Sequence, residues 1–403
     1  MKESVYVVRK KISPDFWKNK GQALLLGKLD IELTERCNNN CIHCCINIPA
    51  TDLIAKKKEL SSAEIKNIIQ QAADLGCRSV RFTGGEPLLR ADFEELYIFT
   101  RKLGVSVMLF TNATLINKHL VGLFQHIPPG ELIEITLYGM KKKTYEAVTR
   151  VSGSFKLAMR GIKLLLAHKV PFVVKGALLP ANKNEIGEFQ AWSKTIPWMD
   201  KLPSYSMFFD LRCRKDNHTK DRIVKSLRVS AEDSMKIIAR DRGAYFKEMQ
   251  EFCSKFMRPS GDVLFSCGSG KASGCVDAYG FFKPCLTLTA KETSYNLRKG
   301  FLKEALEDFF PRVRKIKATN PDYLARCAKC LLKGLCEECP AKSYNEHGVL
   351  DAPVEHLCEA AHYQARFLGL LKNNEMGWEI KNRKKRINEF CKRRIKNESS
   401  AKS

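Results

Sequence analysis

The chain has 403 residues, 44% of them hydrophobic, which is enough for a sizeable core in roughly two or three domains. No run of about eighteen apolar residues occurs, and the N-terminal segment lacks the long apolar core of a secretory signal. These observations exclude a transmembrane helix and predict a cytoplasmic protein. The net charge of +25 predicts an anionic partner, because basic surfaces attract nucleic acids, acidic headgroups and acidic peptides.

The first half of the chain alternates short apolar runs with segments of helical periodicity. Strands are predicted at Leu29–Leu33, Ser79–Thr83, Ser106–Thr111, Leu132–Leu137, Phe172–Leu179 and Tyr205–Asp210. Helices are predicted at Ser61–Leu75, Ala91–Leu103 and Phe155–His168, the first of them with a capping box at its start. Alternating strands and helices form parallel units, so residues 29–211 are predicted to be an α/β domain. This length fits a partial (β/α)6 barrel better than a closed barrel of about eight strands.

The second half of the chain has a different pattern of apolar residues. Residues 212–258 are predicted to be a linker, with a polar loop at Cys213–His218 and a long helix at Ser230–Met257 that breaks near Gly243. Residues 259–370 have weak periodicity and dense cysteines, which predicts a small domain stabilised mainly by metal. Residues 371–403 form a basic C-terminal tail, and residues 1–28 form an N-terminal extension.

Sixteen cysteines in a reducing compartment indicate metal binding. Cys37, Cys41 and Cys44 follow the first predicted strand with the spacing C-x3-C-x2-C. Three thiolates at this spacing can ligate three irons of a [4Fe–4S] cube and leave the fourth iron open, whereas four-cysteine sites close every position. Cys45 is predicted to point away from the cube. The isolated cysteines are predicted to be structural, and they are Cys77, Cys213, Cys253 and Cys391.

A second motif, Thr83-Gly84-Gly85-Glu86-Pro87, ends the next predicted strand. Its two glycines let the backbone come close to a ligand. The strand-end carbonyls and Glu86 can receive an ammonium group. The alternative is an ordinary turn after a buried strand.

With these two motifs the sequence resembles the radical S-adenosylmethionine (SAM) superfamily over residues 29–211. The resemblance implies that a cluster at Cys37, Cys41 and Cys44 binds SAM through its open iron. It also implies that the cofactor's amino group is held by Gly84, Gly85, Glu86 and Pro87.

The same resemblance implies three further cofactor contacts. Asn112 lies in Thr111-Asn112-Ala113-Thr114, which is similar to the family's TNGT segment. Thr136 stands where many relatives have a Ser-x-Asp-Gly contact, although Tyr138 replaces the acid. Arg150 is near the position of a family arginine that contacts the carboxylate. Ordinary surface or helix-cap polarity is the alternative for Thr136 and Arg150.

A second group contains eight cysteines, namely Cys267, Cys275, Cys285, Cys327, Cys330, Cys336, Cys339 and Cys358. Eight thiolates divide into two [4Fe–4S] cubes, which suit soft sulfur ligands. A zinc site at Cys327–Cys339 is the alternative, but it leaves four of the cysteines without a role.

This second group resembles the SPASM extension of radical SAM enzymes that modify peptides and proteins. The resemblance implies one auxiliary cluster at Cys267, Cys275, Cys285 and Cys339. It implies another at Cys327, Cys330, Cys336 and Cys358. Two residues rather than three precede Cys339, which departs from the family's pattern. Leu286 stands where sulfatase-maturating relatives have an aspartate base, which argues against that activity.

The two resemblances together imply an enzyme that cleaves SAM reductively to a 5′-deoxyadenosyl radical and abstracts hydrogen from a peptide or protein. The expected substrate is a ribosomally made peptide, and the expected product a thioether, a carbon–carbon crosslink or an epimer. An electron donor such as flavodoxin or ferredoxin is implied. A separate leader-binding protein is one expectation, because 28 residues before the first strand are too few for such a domain. Direct binding of the leader to the basic surface is the other.

Two other functions compete with this one. The charge alone fits a nucleic-acid-modifying radical enzyme, but no RNA-recognition motif supports it. A non-enzymatic iron–sulfur electron-transfer or scaffold protein would have a fourth ligand for the cluster at Cys37, Cys41 and Cys44.

Overall fold

The computed structural model describes residues 26–207, 209–213, 216–257 and 261–393. The chain forms two compact units. The first contains residues up to Arg228 together with Cys267–Arg314, and the second contains Val229–Ser266 together with the chain from Lys315 onward. Most of the predicted N-terminal extension and the last ten residues of the predicted tail lie outside the described residues. Within the described ranges, no helix is long and apolar enough to cross a bilayer.

The first unit is built on a nine-stranded sheet with the order β11-β10-β9-β1-β4-β5-β6-β7-β8. Its strands are β1 (Lys28–Thr34), β4 (Ser79–Gly84), β5 (Ser106–Thr111), β6 (Gly130–Leu137), β7 (Phe172–Ala177), β8 (Tyr205–Ser206), β9 (Ser273–Val276), β10 (Phe281–Lys283) and β11 (Tyr295–Asn296). Two short strands, β2 (Arg36–Cys37) and β3 (Ile48–Pro49), form a separate two-stranded sheet. From β1 through β4, β5, β6 and β7 to β8 every neighbouring pair is parallel. The predicted α/β class with a six-stranded partial barrel is therefore confirmed. The last strand is shorter than predicted.

The helices of the first unit connect these strands. Up to Arg228 they are α1 (Leu53–Lys58), α2 (Ser62–Asp74), α3 (Phe93–Lys102), α4 (Lys118–His126), α5 (Lys142–Thr149), α6 (Ser154–Ala167), α7 (Ile186–Ser193) and α8 (His218–Leu227). Helix α2 begins where the sequence predicts, because Ser61 and Glu64 form a reciprocal capping box. Its apolar face is buried against the sheet, where Ile65 and Ile69 are almost fully inaccessible.

The later helices are α9 (Ala231–Ile238), α10 (Arg242–Phe256), α11 (Leu302–Glu304), α12 (Phe310–Val313), α13 (Pro321–Ala325), α14 (Pro340–His347), α15 (Glu355–Phe367) and α16 (Arg383–Lys392). A π-helical turn at Ala305–Phe309 separates α11 from α12. Short 3-10 helices lie at Pro87–Leu89, Lys183–Glu185, Lys291–Thr293, Cys327–Lys329 and Leu331–Gly334.

The two faces of the parallel strands have different characters. Residues such as Leu29, Val80 and Val107 are fully buried in the hydrophobic core. The alternate positions carry charge, since strand side chains alternate between faces. Arg81 pairs with Asp30, and Lys175 pairs with Glu134. The polar face therefore contains opposite charges in matched pairs.

The segment after Cys267 extends the sheet of the first unit. Strand β9 pairs in parallel with β1, from Lys28↔Ser273 to Ile31↔Val276, and β10 pairs antiparallel with β9. The predicted domain boundary at residue 259 therefore does not coincide with a boundary between the compact units. The two- to four-residue length of β9, β10 and β11 explains why their periodicity is weak.

The second unit has a helical core of its own. The predicted helix at Ser230–Met257 is two helices, and Asp241 caps the second by accepting from the backbone N–H of Ala244 at 2.9 Å. The predicted tail contributes α16, whose Phe390 is fully buried in the same hydrophobic core as Leu370. The described part of the tail is therefore packed against this core.

Candidate functional site

The loop that carries the first three cysteines leaves the sheet at the carboxyl end of β1. Its base is closed by parallel pairing of β2 with β3, in which Cys37 lies opposite Pro49. Inside the loop, the N–H groups of Asn40 and Ile42 donate to the carbonyls of Thr149 and Val148 at the end of α5, at 2.9 and 3.0 Å. The loop is therefore fixed at its base and in its middle.

A buried ion pair supports the base of this loop. Arg36 donates to both carboxylate oxygens of Glu59, at 2.8 and 3.0 Å, and to the carbonyl of Ala50 at 3.1 Å. Both charged side chains are more than nine-tenths buried. Sequence reasoning missed this pair because its members are separated by a loop, a short strand and α1.

The three thiols lie close enough to influence one another. Burial raises the pKa of Cys37, and the nearby Glu86, Cys41 and Cys44 raise it further. Burial raises the pKa of Cys41 to about 12, against the opposing effect of the Tyr138 hydroxyl. Such thiols need a positively charged partner in order to ionise, and iron supplies one. This donor set fits a cube ligated by three protein thiolates.

The Gly84–Pro87 motif packs directly against the base of the cysteine loop. The N–H groups of Gly85 and Glu86 donate to the carbonyls of Thr34 and Arg36, at 2.7 and 2.9 Å. A Cβ on Gly85 would lie only 2.3 Å from the Arg36 carbonyl oxygen, and Gly84 has a φ of 121°. Both glycines are therefore needed for this close approach of two backbones.

The Glu86 carboxylate joins the ends of β4 and β5. It is fully buried and accepts from the backbone N–H of Asn112 at 2.8 Å, from that of Leu88 at 3.1 Å and from the Thr111 hydroxyl at 2.9 Å. Burial raises its pKa to about 7 despite these donors. The expectation that Glu86 receives an ammonium group stays a prediction.

Asn112 connects β5 to the cysteine loop. Its side-chain amide donates to Asn38 Oδ1 at 2.9 Å and lies 3.8 Å from Cys37 Sγ. Asn38 in turn donates to the Thr114 hydroxyl at 2.8 Å. Ala113 has a φ of 61°, a left-handed conformation at the position where the family segment has glycine. The structure thus brings Asn112 and Cys37 together, as the sequence predicted for one site.

Aromatic side chains surround Cys41 on the other side. The Tyr138 hydroxyl forms a hydrogen bond with the Cys41 sulfur, and burial raises the pKa of this tyrosine. The His43 ring lies between those of Tyr138 and Phe209, with centroid distances of 5.2 and 4.9 Å. Burial lowers the pKa of His43 to about 4, so the ring is neutral at physiological pH. Tyr138, noted in the sequence only as a departure, is a neighbour of a predicted cluster ligand.

The other predicted cofactor contacts lie near this end of the sheet. Thr136 is close to the carboxyl end of β6, opposite Lys175 of β7. Arg150 is exposed at the C-terminus of α5 with a φ of 55°, directly after the residue whose carbonyl binds Asn40. Their roles as cofactor contacts stay predictions.

The predicted ligands of the first auxiliary cluster fall in both compact units. Cys267, Cys275 and Cys285 belong to the first unit. Cys275 is buried on β9 opposite Asp30, and Cys285 follows the end of β10. Cys339 precedes α14 in the second unit.

The four predicted ligands of the second auxiliary cluster are brought together in the second unit. Cys327, Cys330, Cys336 and Cys358 line one cavity. Burial raises the pKa of Cys330 to about 11 and that of Cys327 to about 12. No three His, Cys, Asp or Glu side chains in the described part of the chain are arranged to hold a single metal ion. A cube is larger than one ion, and four thiols around a cavity fit it.

A separate cavity of about 230 Å³ in the first unit contains residues that the sequence did not single out. Lys283 lies 3.4 Å from Glu32 and 3.7 Å from Asp277, and all three line this cavity. Burial raises the pKa of Glu32 to about 7, against the effect of Lys283. Leu286 also lines the cavity. The sequence did contain a signal for Glu32, because charged residues alternate with apolar ones along this strand.

The same cavity is lined by Cys213, one of the cysteines interpreted as isolated. Its backbone N–H donates at 3.1 Å to the carbonyl of Cys45, the cysteine predicted to point away from the cube. A hydrogen bond from one thiol to the other, followed by burial, raises the pKa of Cys45. The two cysteines therefore form a pair, which no spacing rule predicts.

In a comparison with protein families, residues 31–192 fit the model described as the Radical SAM superfamily. This range includes the three cysteines of the loop and the Gly84–Pro87 motif.

Two curated proteins are similar over most of the chain. The AdoMet-dependent heme synthase of Methanosarcina barkeri is 25% identical over 337 residues, which cover 79% of this chain and 92% of that protein. The antilisterial bacteriocin subtilosin biosynthesis protein AlbA of Bacillus subtilis is 25% identical over 325 residues, covering 78% of this chain and 67% of that protein. Their names describe different reactions.

A solved structure has a similar fold. Native anSMEcpe with bound AdoMet and Cp18Cys peptide matches with a TM-score of 0.60 at 15% identity, over 86% of this chain and 97% of that chain. The likeness extends well beyond the family match and supports the partial-barrel fold.

Proposed function

We propose that this chain, which belongs to the radical SAM superfamily and is an enzyme, modifies a peptide or protein substrate. The observation that carries the proposal is the contact between the cysteine loop and the ends of β4 and β5, where Glu86 and Asn112 lie beside Cys37. Cys37, Cys41 and Cys44 would hold the catalytic [4Fe–4S] cluster. The Gly84–Pro87 motif, Asn112, Thr136 and Arg150 would contact SAM.

The cluster and SAM together supply one-electron cleavage of a carbon–sulfur bond and a radical that abstracts hydrogen. The protein's own residues keep the ligands in place. Asn112 donates towards the Cys37 sulfur and Tyr138 towards that of Cys41. The His43 and Phe209 rings exclude water from the same side, which protects a reactive site from side reactions.

The proposal includes two auxiliary [4Fe–4S] clusters, at the two sets of four cysteines given above. Four thiols around one cavity support the second of these sets. Auxiliary clusters can accept the electron of a product radical or bind substrate. An electron donor such as flavodoxin or ferredoxin, and a separate leader-binding protein, are further parts of the proposal.

A peptide substrate is supported by two comparisons. AlbA is named for the biosynthesis of a bacteriocin, and the anSMEcpe structure contains a bound peptide. The net charge of +25 fits an acidic leader. A thioether, a carbon–carbon crosslink or an epimer is the proposed product.

Heme synthesis is a second candidate, because the relative named for it aligns over 92% of its own length. The two functions differ in what stimulates SAM cleavage. A bound substrate places a carbon–hydrogen bond at reacting distance, so release of 5′-deoxyadenosine should rise with the true substrate. Stimulation by a peptide encoded next to the gene supports the first function, and stimulation by a porphyrin or by RNA contradicts it.

Anaerobic reconstitution tests the clusters. We expect about twelve irons per chain, since eleven cysteines and one cofactor complete three cubes. Changing Cys37, Cys41 and Cys44 together to Ala should remove about four irons and abolish SAM cleavage. Cys391→Ser, outside every proposed ligand set, should change neither. Cleavage by the triple variant would contradict the catalytic assignment, and about four irons in the intact protein would contradict the auxiliary clusters.

A further inference from the structure

Two nitrogen donors face one cysteine of the second unit's cavity. Arg326 Nη2 lies 3.6 Å from Cys358 Sγ, and His362 Nδ1 lies 3.5 Å from the same sulfur. Both side chains line the cavity together with the four cysteines and Trp378. Cys358 is therefore distinguished from the other three ligands by donors on two sides.

The hydrogen bonds of His362 define which of its nitrogens carries the proton. Its Nε2 accepts from the backbone N–H of Gly377 at 3.0 Å, so the hydrogen of the neutral ring is on Nδ1. Nδ1 lies 2.8 Å from the carbonyl oxygen of Cys358, one helical turn earlier in α15. That N–H therefore points at the backbone and sulfur of the same cysteine.

Arg326 is fixed in its position by two further contacts. It binds Glu355 through both carboxylate oxygens, at 2.7 and 2.9 Å. Its guanidinium group lies over the Trp378 ring, 4.9 Å from the centroid. Because an arginine remains charged at all accessible pH values, a permanent positive charge is held beside Cys358.

The segment that positions His362 also contacts a second ligand. A Cβ on Gly377 would lie 2.7 Å from Cys330 Sγ, and the Gly377 carbonyl accepts from the Leu331 N–H at 2.7 Å. Gly377 and Trp378 therefore lie directly against the proposed cluster site, although the sequence placed them in the basic tail.

We infer that Arg326 and His362 are positioning residues for the second auxiliary cluster. They contact the sulfur of its ligand Cys358, and through this contact they raise the reduction potential of the cluster. The inference rests on the proposed function, because it requires a cluster at these four cysteines. Reduction adds negative charge to the cluster and its thiolates. N–H donors and a fixed positive charge at a ligand stabilise that charge, as hydrogen bonds to cluster sulfurs do in general. The cluster thereby becomes the better electron acceptor.

The test is a potentiometric titration of the full-length, reconstituted enzyme, followed by electron paramagnetic resonance. Arg326→Gln should lower the midpoint potential of one cluster, because the charge beside Cys358 is lost. Glu355→Gln should raise it, because the carboxylate that offsets this charge is removed. His362→Leu should lower it, whereas His362→Asn should restore it towards wild type, because the asparagine amide can replace Nδ1. Arg312→Gln, an exposed arginine paired with Asp308, should leave the potential unchanged.

Opposite shifts in Arg326→Gln and Glu355→Gln support the inference, because a merely structural role would move both variants in the same direction. If Arg326→Gln loses iron, the inference is still tested by the midpoint potentials of the Glu355→Gln and His362→Asn variants. Unchanged potentials in iron-replete variants would overturn the inference and leave the proposed function standing. If Cys327, Cys330, Cys336 and Cys358 can be changed to Ala with no loss of iron, the auxiliary cluster itself is refuted, together with this inference.

Discussion

The Glu86 carboxylate accepts a 2.8 Å hydrogen bond from the backbone N–H of Asn112, and this bond joins the end of β4 to the end of β5. Because the Asn112 side chain reaches Asn38, the position of the cysteine loop depends on a residue two strands away from its own. The site is therefore formed jointly by the carboxyl ends of three adjacent strands, β1, β4 and β5.

Asn112→Ala should loosen the cysteine loop. The variant loses the 2.9 Å bond to Asn38 and the donor near Cys37. We expect faster loss of the catalytic cluster's iron under a chelator and at least about a tenfold lower rate of SAM cleavage, the effect of about 1.4 kcal/mol. Asn117→Ala removes a helix cap in the same unit and should leave iron retention unchanged. Equal rates of iron loss in both variants would contradict this assignment.

Ala113→Gly should stabilise the protein. A left-handed conformation costs a residue with a Cβ about 1–2 kcal/mol. Part of this is offset by the greater freedom of glycine in the unfolded chain and by the loss of the buried Ala113 methyl group. We expect a net gain of about 0.5 kcal/mol in the free energy of unfolding, measured with urea. Ala147→Gly, at an exposed position inside α5, should instead lose about 1 kcal/mol. Loss of stability in both variants would contradict the strain at Ala113.

His43→Phe should reduce acid sensitivity. The folded-state pKa of His43 is lowered from 6.5 to about 4, so its stabilising contribution is present above about pH 6.5 and is lost as the pH falls towards 4. Between pH 7 and pH 5 this single group should lower the free energy of unfolding by about 2 kcal/mol. In urea unfolding of the cluster-free protein, the free energy of unfolding should fall between pH 7 and pH 5 by about 2 kcal/mol less in the variant than in the wild type. The variant keeps an aromatic ring between Tyr138 and Phe209. An identical pH dependence would exclude a buried neutral histidine.

Removal of iron should loosen the second unit more than the first. Four of its cysteines surround a cavity that the cluster is proposed to fill, and metal binding then contributes to folding. Hydrogen exchange of the cluster-free protein should accelerate between Lys315 and Cys358, whereas Ser273–Val276 should stay protected by pairing with β1. Equal protection with and without iron would show that the helical core around Phe390 is sufficient.

The strand pattern and the first site could be predicted because both depend on local signals. Apolar runs predict the parallel strands, and the carboxyl ends of neighbouring parallel strands lie at one edge of a sheet. The nearness of Glu86, Asn112 and the cysteine loop follows from that geometry. Ala113 and Tyr138 differ from the family pattern, yet both lie at this same edge, directly after or close to the ends of β5 and β6.

The parts that could not be predicted depend on contacts between distant segments. The Arg36–Glu59 pair and the Cys45–Cys213 pair have no periodicity or spacing that indicates them. Strands β9 to β11 are too short for an alternating pattern, so their place in the first unit follows only from pairing with β1. Tertiary packing decides such features.

The pairing of β9 with β1 also has a consequence for synthesis of the chain on the ribosome. Strand β1 leaves the ribosome early, whereas Ser273–Val276, the strand that pairs with its outer edge in the described structure, is synthesised much later. During that interval its unpaired N–H and C=O groups are open to pairing with another chain. A gene truncated after Arg228 would make this exposure permanent, so aggregation during expression is the expected fate of such a fragment.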